Sequence, residues 1–263
     1  MYALINDVRM AYGDRGREHA LALLLVHGFP LDRRLWTAQA GAFATMTRVI
    51  TPDLRGHGGS QVVPCPLTME QHADDLAALL DYLKIRRAVL AGLSMGGYVA
   101  FTFWRRHPDR VQGLILANTR AEPDSLTAQA GRDAAMTRVQ QTGAAAYADE
   151  MLPRLLAPES LANAKIVGAA RRMMAAQPVA GVVGALGGLR DRADSRATLP
   201  AITVPTLVVV GEADVITPPA DAQAMAAMIP GARLAVIPKA GHLSPLENPR
   251  AFNAAVRAFL RSL

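Results

Sequence analysis

Apolar residues gather along this chain into short unbroken runs, and between the runs they return at helical spacing. Runs at residues 22–26, 48–51, 88–91, 113–117, 206–210 and 233–237 predict strands. Most are continuously apolar, so they predict a parallel sheet covered on both faces, an α/β arrangement. The opening residues MYALINDVRMAY do alternate, as a half-buried strand would. Residues 68–84 predict one of the covering helices: Thr68 and Gln71 have capping-box spacing, and Leu76, Leu79, Leu80 and Leu83 share a face. Further helices are predicted after Ser94, ending near Arg106, and from near Pro249.

Between Arg120 and Thr198 the strand signal stops. This stretch is rich in Ala, Met and Arg and carries helical segments such as 133–141 and 161–176. About eighty residues exceed an ordinary connection between neighbouring strands, so residues 120–198 are read as a helical cap, or lid, inserted before the penultimate strand. Residues 1–119 and 199–263 then form the core. A chain of 263 residues, 51% of them hydrophobic, suits one large α/β domain with such an insertion.

Charge and hydropathy narrow the partners. Lys and Arg number 28 against 22 Asp and Glu, a formal charge of +6, with no long block of like charge. The arginine pairs at 33–34, 86–87, 105–106 and 171–172 are scattered, which speaks for solvated faces and against a nucleic-acid groove. The longest apolar run, residues 20–26, is far short of the roughly 20 residues of a bilayer span, and the N-terminus lacks the charged-then-apolar order of a signal segment. A cytoplasmic protein without membrane contact is expected. The single cysteine, Cys65, excludes an intrachain disulfide and a multi-cysteine metal site; flanked by Pro64 and Pro66, it reads as a bystander thiol.

Candidate chemistry begins at AGLSMGGY, residues 91–98. Gly92-Leu93-Ser94-Met95-Gly96 matches G-x-S-x-G, follows a predicted buried strand and precedes a helix-like run, the setting of a nucleophile elbow. Flanking glycines relieve the collisions of such a turn. A serine hydroxyl needs a neighbouring base. Among the six histidines, His242 in KAGHLSPLENP follows a predicted strand and would emerge at the same sheet edge as Ser94. His27 and His57 belong to glycine-containing loops and are read as bonding to loop backbone, His72 and His107 lie on predicted helices, and His19 sits in a polar loop. The base in turn needs a carboxylate. Asp214 in GEADVITPP is preferred to Asp53 and to its close rival Glu212, since it gives the chain order Ser, Asp, His. Asn118 cannot supply the charge, and Asp53 with Arg55 is read as a pair that fixes a loop.

An oxyanion also needs donors. The N–H of Met95, at the predicted helix start, is one. HGFP at residues 27–30 offers the N–H of Phe29 as the other, with Gly28 opening the turn and Pro30 stiffening it.

HGFP, PDLRGHGGS, GLSMGG, GEADVITPP and AGHLSPLENP, in this order across nearly the whole chain, resemble the α/β-hydrolase superfamily. Within it the sequence is similar to lidded esterases and to 3-oxoadipate enol-lactonase-like serine hydrolases, with cofactor-free perhydrolases close by. The resemblance implies a doubly wound, mostly parallel sheet, no metal and no cofactor. It also implies Ser94, Asp214 and His242 as a triad, with Phe29 and Met95 as backbone donors. The expected reaction is cleavage of small to medium carboxylic esters through an acyl-enzyme; lactonase or perhydrolase activity is the alternative, and a ligand-binding receptor on the same fold is the non-enzymatic one. Similar perhydrolases carry tryptophan where this chain has Phe29, and epoxide hydrolases and haloalkane dehalogenases carry aspartate where it has Ser94. Leu31, Trp36, Ile216 and Leu243, with Met95, flank the catalytic loops and are expected to line the pocket; Met136, Met151, Met173 and Met174 in the insertion have the flexible thioethers of an adaptable apolar wall, although helical methionines are more often core. Arg120, where strand meets insertion, suits recognition of a carboxylate such as that of a lactone acid; a surface arginine is the plainer reading. A small-molecule ester or lactone is the expected partner, of a monomer or homodimer.

Overall fold

The computed structural model describes residues 1–63 and 66–263, so the reading of Cys65 lies outside the described residues. Its strands are β1 (Tyr2–Ile5), β2 (Val8–Arg15), β3 (Ala22–Val26), β4 (Arg48–Pro52), β5 (Ala88–Leu93), β6 (Val111–Ala117), β7 (Thr206–Gly211) and β8 (Arg233–Ile237). They form one sheet in the order β1-β2-β4-β3-β5-β6-β7-β8. Pairing is parallel from β4 through β8 and antiparallel for β1 with β2 and β2 with β4.

Every apolar run became a strand, with ends moved by at most two residues. The N-terminal alternating stretch is the exception, since it is two strands. Asn6 (φ 46°) and Asp7 (φ 61°) form a two-residue turn that brings Ile5 opposite Val8. Both turn positions need left-handed backbone, which Asn and Asp tolerate best after glycine. A two-residue turn keeps the alternation in phase, which is why the pattern reads straight through it.

The helices are α1 (Thr37–Phe43), α2 (Met69–Tyr82), α3 (Met95–Arg106), α4 (Leu126–Leu155), α5 (Pro158–Leu161), α6 (Ala164–Ala175), α7 (Val179–Arg190), α8 (Pro219–Met228), α9 (Ser244–Glu247) and α10 (Pro249–Leu260). The capping box starts α2 as expected: Gln71 N–H donates to Thr68 Oγ1 (3.1 Å), and Thr68 N–H donates to Gln71 Oε1 (3.0 Å).

Alternate strand residues feed two cores. Leu24, Val26, Leu90, Leu114 and Val208 pack under α2, α3 and α8, while Leu23, Leu25, Val89, Ile115 and Val209 pack under α1 and α10. Continuous apolar strands are what two covered faces require. The helices α4 to α7 all fall between β6 and β7, which are hydrogen-bonded neighbours. The run labelled α4 is two helices meeting at Gly143 (φ 82°, ψ 167°). Among the described residues, no helix is long and apolar enough to cross a membrane.

Candidate active site

β5 is fully buried and ends at Leu93, so the next residue emerges at the carboxyl edge of the sheet. Ser94 occupies φ 54°, ψ −114°, a conformation that a β-carbon disfavours by about 1–3 kcal/mol. It is held there from both sides: its N–H donates to Ala117 O on β6 (2.9 Å), and its carbonyl accepts from Gly97 N–H (2.8 Å) and Thr119 Oγ1 (2.9 Å). The turn is so tight that a β-carbon on Gly92 would strike the Gly96 carbonyl, and one on Gly96 the Val26 carbonyl. The two glycines are therefore steric requirements of the elbow.

His242 follows β8, and Asp214 follows β7; both are buried. Ser94 Oγ donates to His242 Nε2 (2.8 Å), and His242 Nδ1 donates to Asp214 Oδ2 (2.9 Å). Asp214 Oδ1 accepts the N–H groups of Ile216 (2.8 Å) and Thr217 (3.1 Å). Its Oδ2 also accepts from Thr217 Oγ1 (2.7 Å) and Asn118 Nδ2 (2.8 Å). Burial alone would raise the pKa of this carboxyl, but the charge and hydrogen bond of His242, with Asn118 and Thr217, outweigh it and hold the group at about 2. The acid is ionised at neutral pH, as stabilising an imidazolium demands.

The rivals are engaged elsewhere. Glu212 Oε2 accepts from Lys239 N–H (3.1 Å). His27 donates from Nδ1 to Gly28 O (2.9 Å) and accepts at Nε2 from Leu54 N–H (3.0 Å), and His57 donates to Arg55 O (3.1 Å), both backbone roles as expected. His72 is packed in the core, and His107 Nε2 meets Asp74 Oδ1 (2.9 Å). Asp53 and Arg55, however, do not fix a loop by pairing with each other. Asp53 pairs with Arg33 and accepts Gly59 N–H (2.8 Å), whereas Arg55 donates two hydrogen bonds to the carboxylate of Asp75 on α2 (2.5 and 2.6 Å). Each side chain is taken up by a partner on another segment, Asp53 by Arg33 and Arg55 by Asp75.

Met95 opens α3, so its N–H has no partner one turn back. Neither this group nor Phe29 N–H meets an acceptor among the described residues. Both residues belong to the segments that meet at the β3 and β5 strand ends, beside Ser94.

Residues 22–249 match the family model for the alpha/beta hydrolase fold. The chain belongs to the α/β-hydrolase family. This α/β-hydrolase is 31% identical to 3-oxoadipate enol-lactonase 2 of Acinetobacter baylyi, over 97% of its own length and 94% of the relative's. Among solved structures it is similar to a thermophilic esterase from Thermogutta terrifontis, determined with malate bound, at 45% identity and a TM-score of 0.96, covering 100% of this chain and 98% of that one. It is also similar to the enol-lactonase from Burkholderia xenovorans, at 32% identity and a TM-score of 0.93, covering 99% and 100% of the two chains.

A cavity of about 500 Å³ opens onto Ser94 and His242 in this α/β-hydrolase, walled by Phe29, Tyr98, Arg120, Tyr147, Met151, Arg154 and Ile216, among others. Of the pocket residues expected from sequence, Arg120, Ile216 and Met151 line it. Leu31, Trp36 and Leu243 do not: they are fully buried beneath the loops, with Trp36 against Phe252 at a ring separation of 5.9 Å. The apolar side chains beside Ser94 and His242 turn toward the sheet, because that is where they lose most water contact. Met95, Met173 and Met174 are likewise core, and Met136 packs against it.

The wall is more polar than the sequence suggested. Arg132, Arg138, Asp124 and Glu150 also line it, as ion pairs Arg132–Asp124 (3.0 Å) and Arg138–Glu150 (2.7 Å). Among the described residues Arg120 forms no ion pair within 4 Å, although its charge reaches Asp221, and its Nε is buried without an acceptor. These charges, on α4 and just ahead of it, carried no motif; only the fold brings them to the wall of the cavity that holds Ser94.

Proposed function

We propose that this α/β-hydrolase is a serine hydrolase that cleaves carboxylic esters of small to medium substrates, with Ser94, His242 and Asp214 as its triad. One observation carries the reading: the hydroxyl, imidazole and carboxylate form a hydrogen-bonded line, 2.8 and 2.9 Å, whose serine end faces a cavity. His242 takes the Ser94 proton as the hydroxyl attacks the ester carbonyl, and the N–H groups of Phe29 and Met95 receive the developing oxyanion. His242 then protonates the departing alcohol, and water repeats the cycle on the acyl-enzyme while Asp214 stays ionised. Residues 120–198 act as the cap over this cavity, and Arg120 receives a carboxylate on the substrate.

Enol-lactone or other lactone opening is the second reading, favoured by the named relatives and by the unpaired Arg120; it uses the same acyl-enzyme, with the alcohol leaving group still tethered.

The test is covalent labelling with a fluorophosphonate, followed by a panel of esters and lactones. A hydrolase gains one label, which Ser94→Ala abolishes together with turnover, a loss of up to about a millionfold. A protein that only binds ligands on this fold stays unlabelled and inactive on the whole panel.

A further inference from the structure

We infer that Glu247 is a positioning residue, which holds the loop carrying His242 and ties that loop to the helical segment between β6 and β7. Glu247 is the last residue of α9 and is 9% exposed. Its Oε1 accepts the N–H groups of Gly241 and Leu243, each at 3.0 Å, and its Oε2 accepts Ala157 N–H at 2.7 Å. The two loop donors are the residues immediately before and after His242. The N–H between them, that of His242 itself, donates to Leu155 O (2.9 Å) at the end of α4.

Three successive peptide N–H groups are thus fixed, two by one carboxylate and one by the inserted segment that the same carboxylate grips at Ala157. The contact is close enough that a β-carbon on Gly241 would lie 2.7 Å from Ala157 N and 2.9 Å from Leu156 C. With its backbone locked, His242 has only ring rotation left, and the bonds to Asp214 and Ser94 set that. A carboxylate suits the task because two oxygens can each receive charge-assisted bonds from peptide donors. An amide in its place keeps one accepting oxygen and turns an NH₂ group toward a third donor.

The inference rests on the proposed hydrolase reading, and its test separates the two. Wild-type, Glu247→Gln and Glu247→Asp proteins are titrated with a fluorophosphonate, which counts reactive Ser94, and kcat and KM are measured per titrated site beside the melting temperature. The expected result is a turnover about ten- to a hundredfold lower in Glu247→Gln, the cost of an ångström-scale displacement of the base, with KM nearly unchanged and the labelling rate reduced in parallel. Glu247→Asp, which keeps the charge but is one methylene shorter, falls in the same direction and decides the question if the glutamine variant does not fold. A folded variant whose turnover per titrated site stays within about twofold of wild type, even with a lowered melting temperature, overturns the proposal and leaves Glu247 structural. A wild-type protein that takes no label overturns the hydrolase reading, and this one with it.

Discussion

Asn118 Nδ2, at the end of β6, donates to Asp214 Oδ2 at the end of β7 over 2.8 Å. The amide cannot turn round, because Ser244 Oγ donates to its Oδ1 (2.5 Å) and its Nδ2 also donates to Gly241 O (3.1 Å). Asn118→Leu removes a donor from the acid, strands the Ser244 hydroxyl and loosens the histidine loop at once. Turnover is expected to fall about tenfold or more, with little change in KM, as loss of positioning predicts. Steady-state kinetics on one good ester is the check.

Replacing Asp214 by Asn keeps the shape of the site but presents an NH₂ or a neutral oxygen to His242, favouring the wrong tautomer. A kcat loss of about 10⁴-fold is expected, measured against a fully folded control. The stability linkage has a definite sign. A carboxyl held at about 2 in the fold, against an ordinary 3.8, contributes stability above the ordinary value and loses it as pH falls through about 2. Urea melts of Asp214→Asn should therefore depend less on pH in that strongly acid range.

A separate acid sensitivity lies behind the site. His27, His57 and His72 lie in a row in the core with ring centroids 5.2 and 6.4 Å apart, and neither nitrogen of His72 has a hydrogen-bond partner among the described residues. Burial depresses all three pKa values, that of His57 to about 3; the charge of His27 adds to the effect on His57, and those of His57, His27 and Arg55, the last paired with Asp75, add to that on His72. The unfolded chain takes up protons that the fold excludes, so stability is lost as pH falls below the ordinary 6.5, by up to about 1.4 kcal/mol per pH unit for each proton excluded. His72→Leu should melt at a higher urea concentration than wild type at pH 5, with the gain shrinking toward pH 8. An equal shift at both values would remove the proton from the account.

Arg120→Ala should separate substrates by charge. Loss of a charge-assisted hydrogen bond costs about 1.5–3 kcal/mol, so kcat/KM for a carboxylated ester is expected to drop roughly ten- to a hundredfold while a neutral ester of the same size changes little. Equal losses on both would mean that Arg120 only shapes the cavity.

The sheet and the hydrogen-bonded line of Ser94, His242 and Asp214 were legible because each depends on local pattern: an apolar run ends, and a serine, histidine or aspartate follows at the same edge. What was illegible depends on neighbours far along the chain. Asn118 was set aside for lacking charge, and its value comes from the register that places the end of β6 beside β7. Leu31, Trp36 and Leu243 were assigned to the pocket by proximity in sequence, although burial drew them inward. The glycine-rich α7 gave little helical signal, since glycine is a poor helix former. There the missing side chains let Gly188 pack against the Leu67 carbonyl and Gly181 against that of Gly56, contacts no local window contains.

The break at Gly143 divides the inserted helices into unequal partners. The stretch from Leu155 to Ala157 is stitched to the backbone around the imidazole, whereas the arm before the break bears Arg132 and Arg138, which pair with Asp124 ahead of the helix and with Glu150 beyond the break. Chimeras that exchange residues 126–142 with those of a relative can retune specificity while leaving the chemistry intact. A graft whose junction falls between Gly143 and Ala157 would carry away part of the machinery with the wrapper.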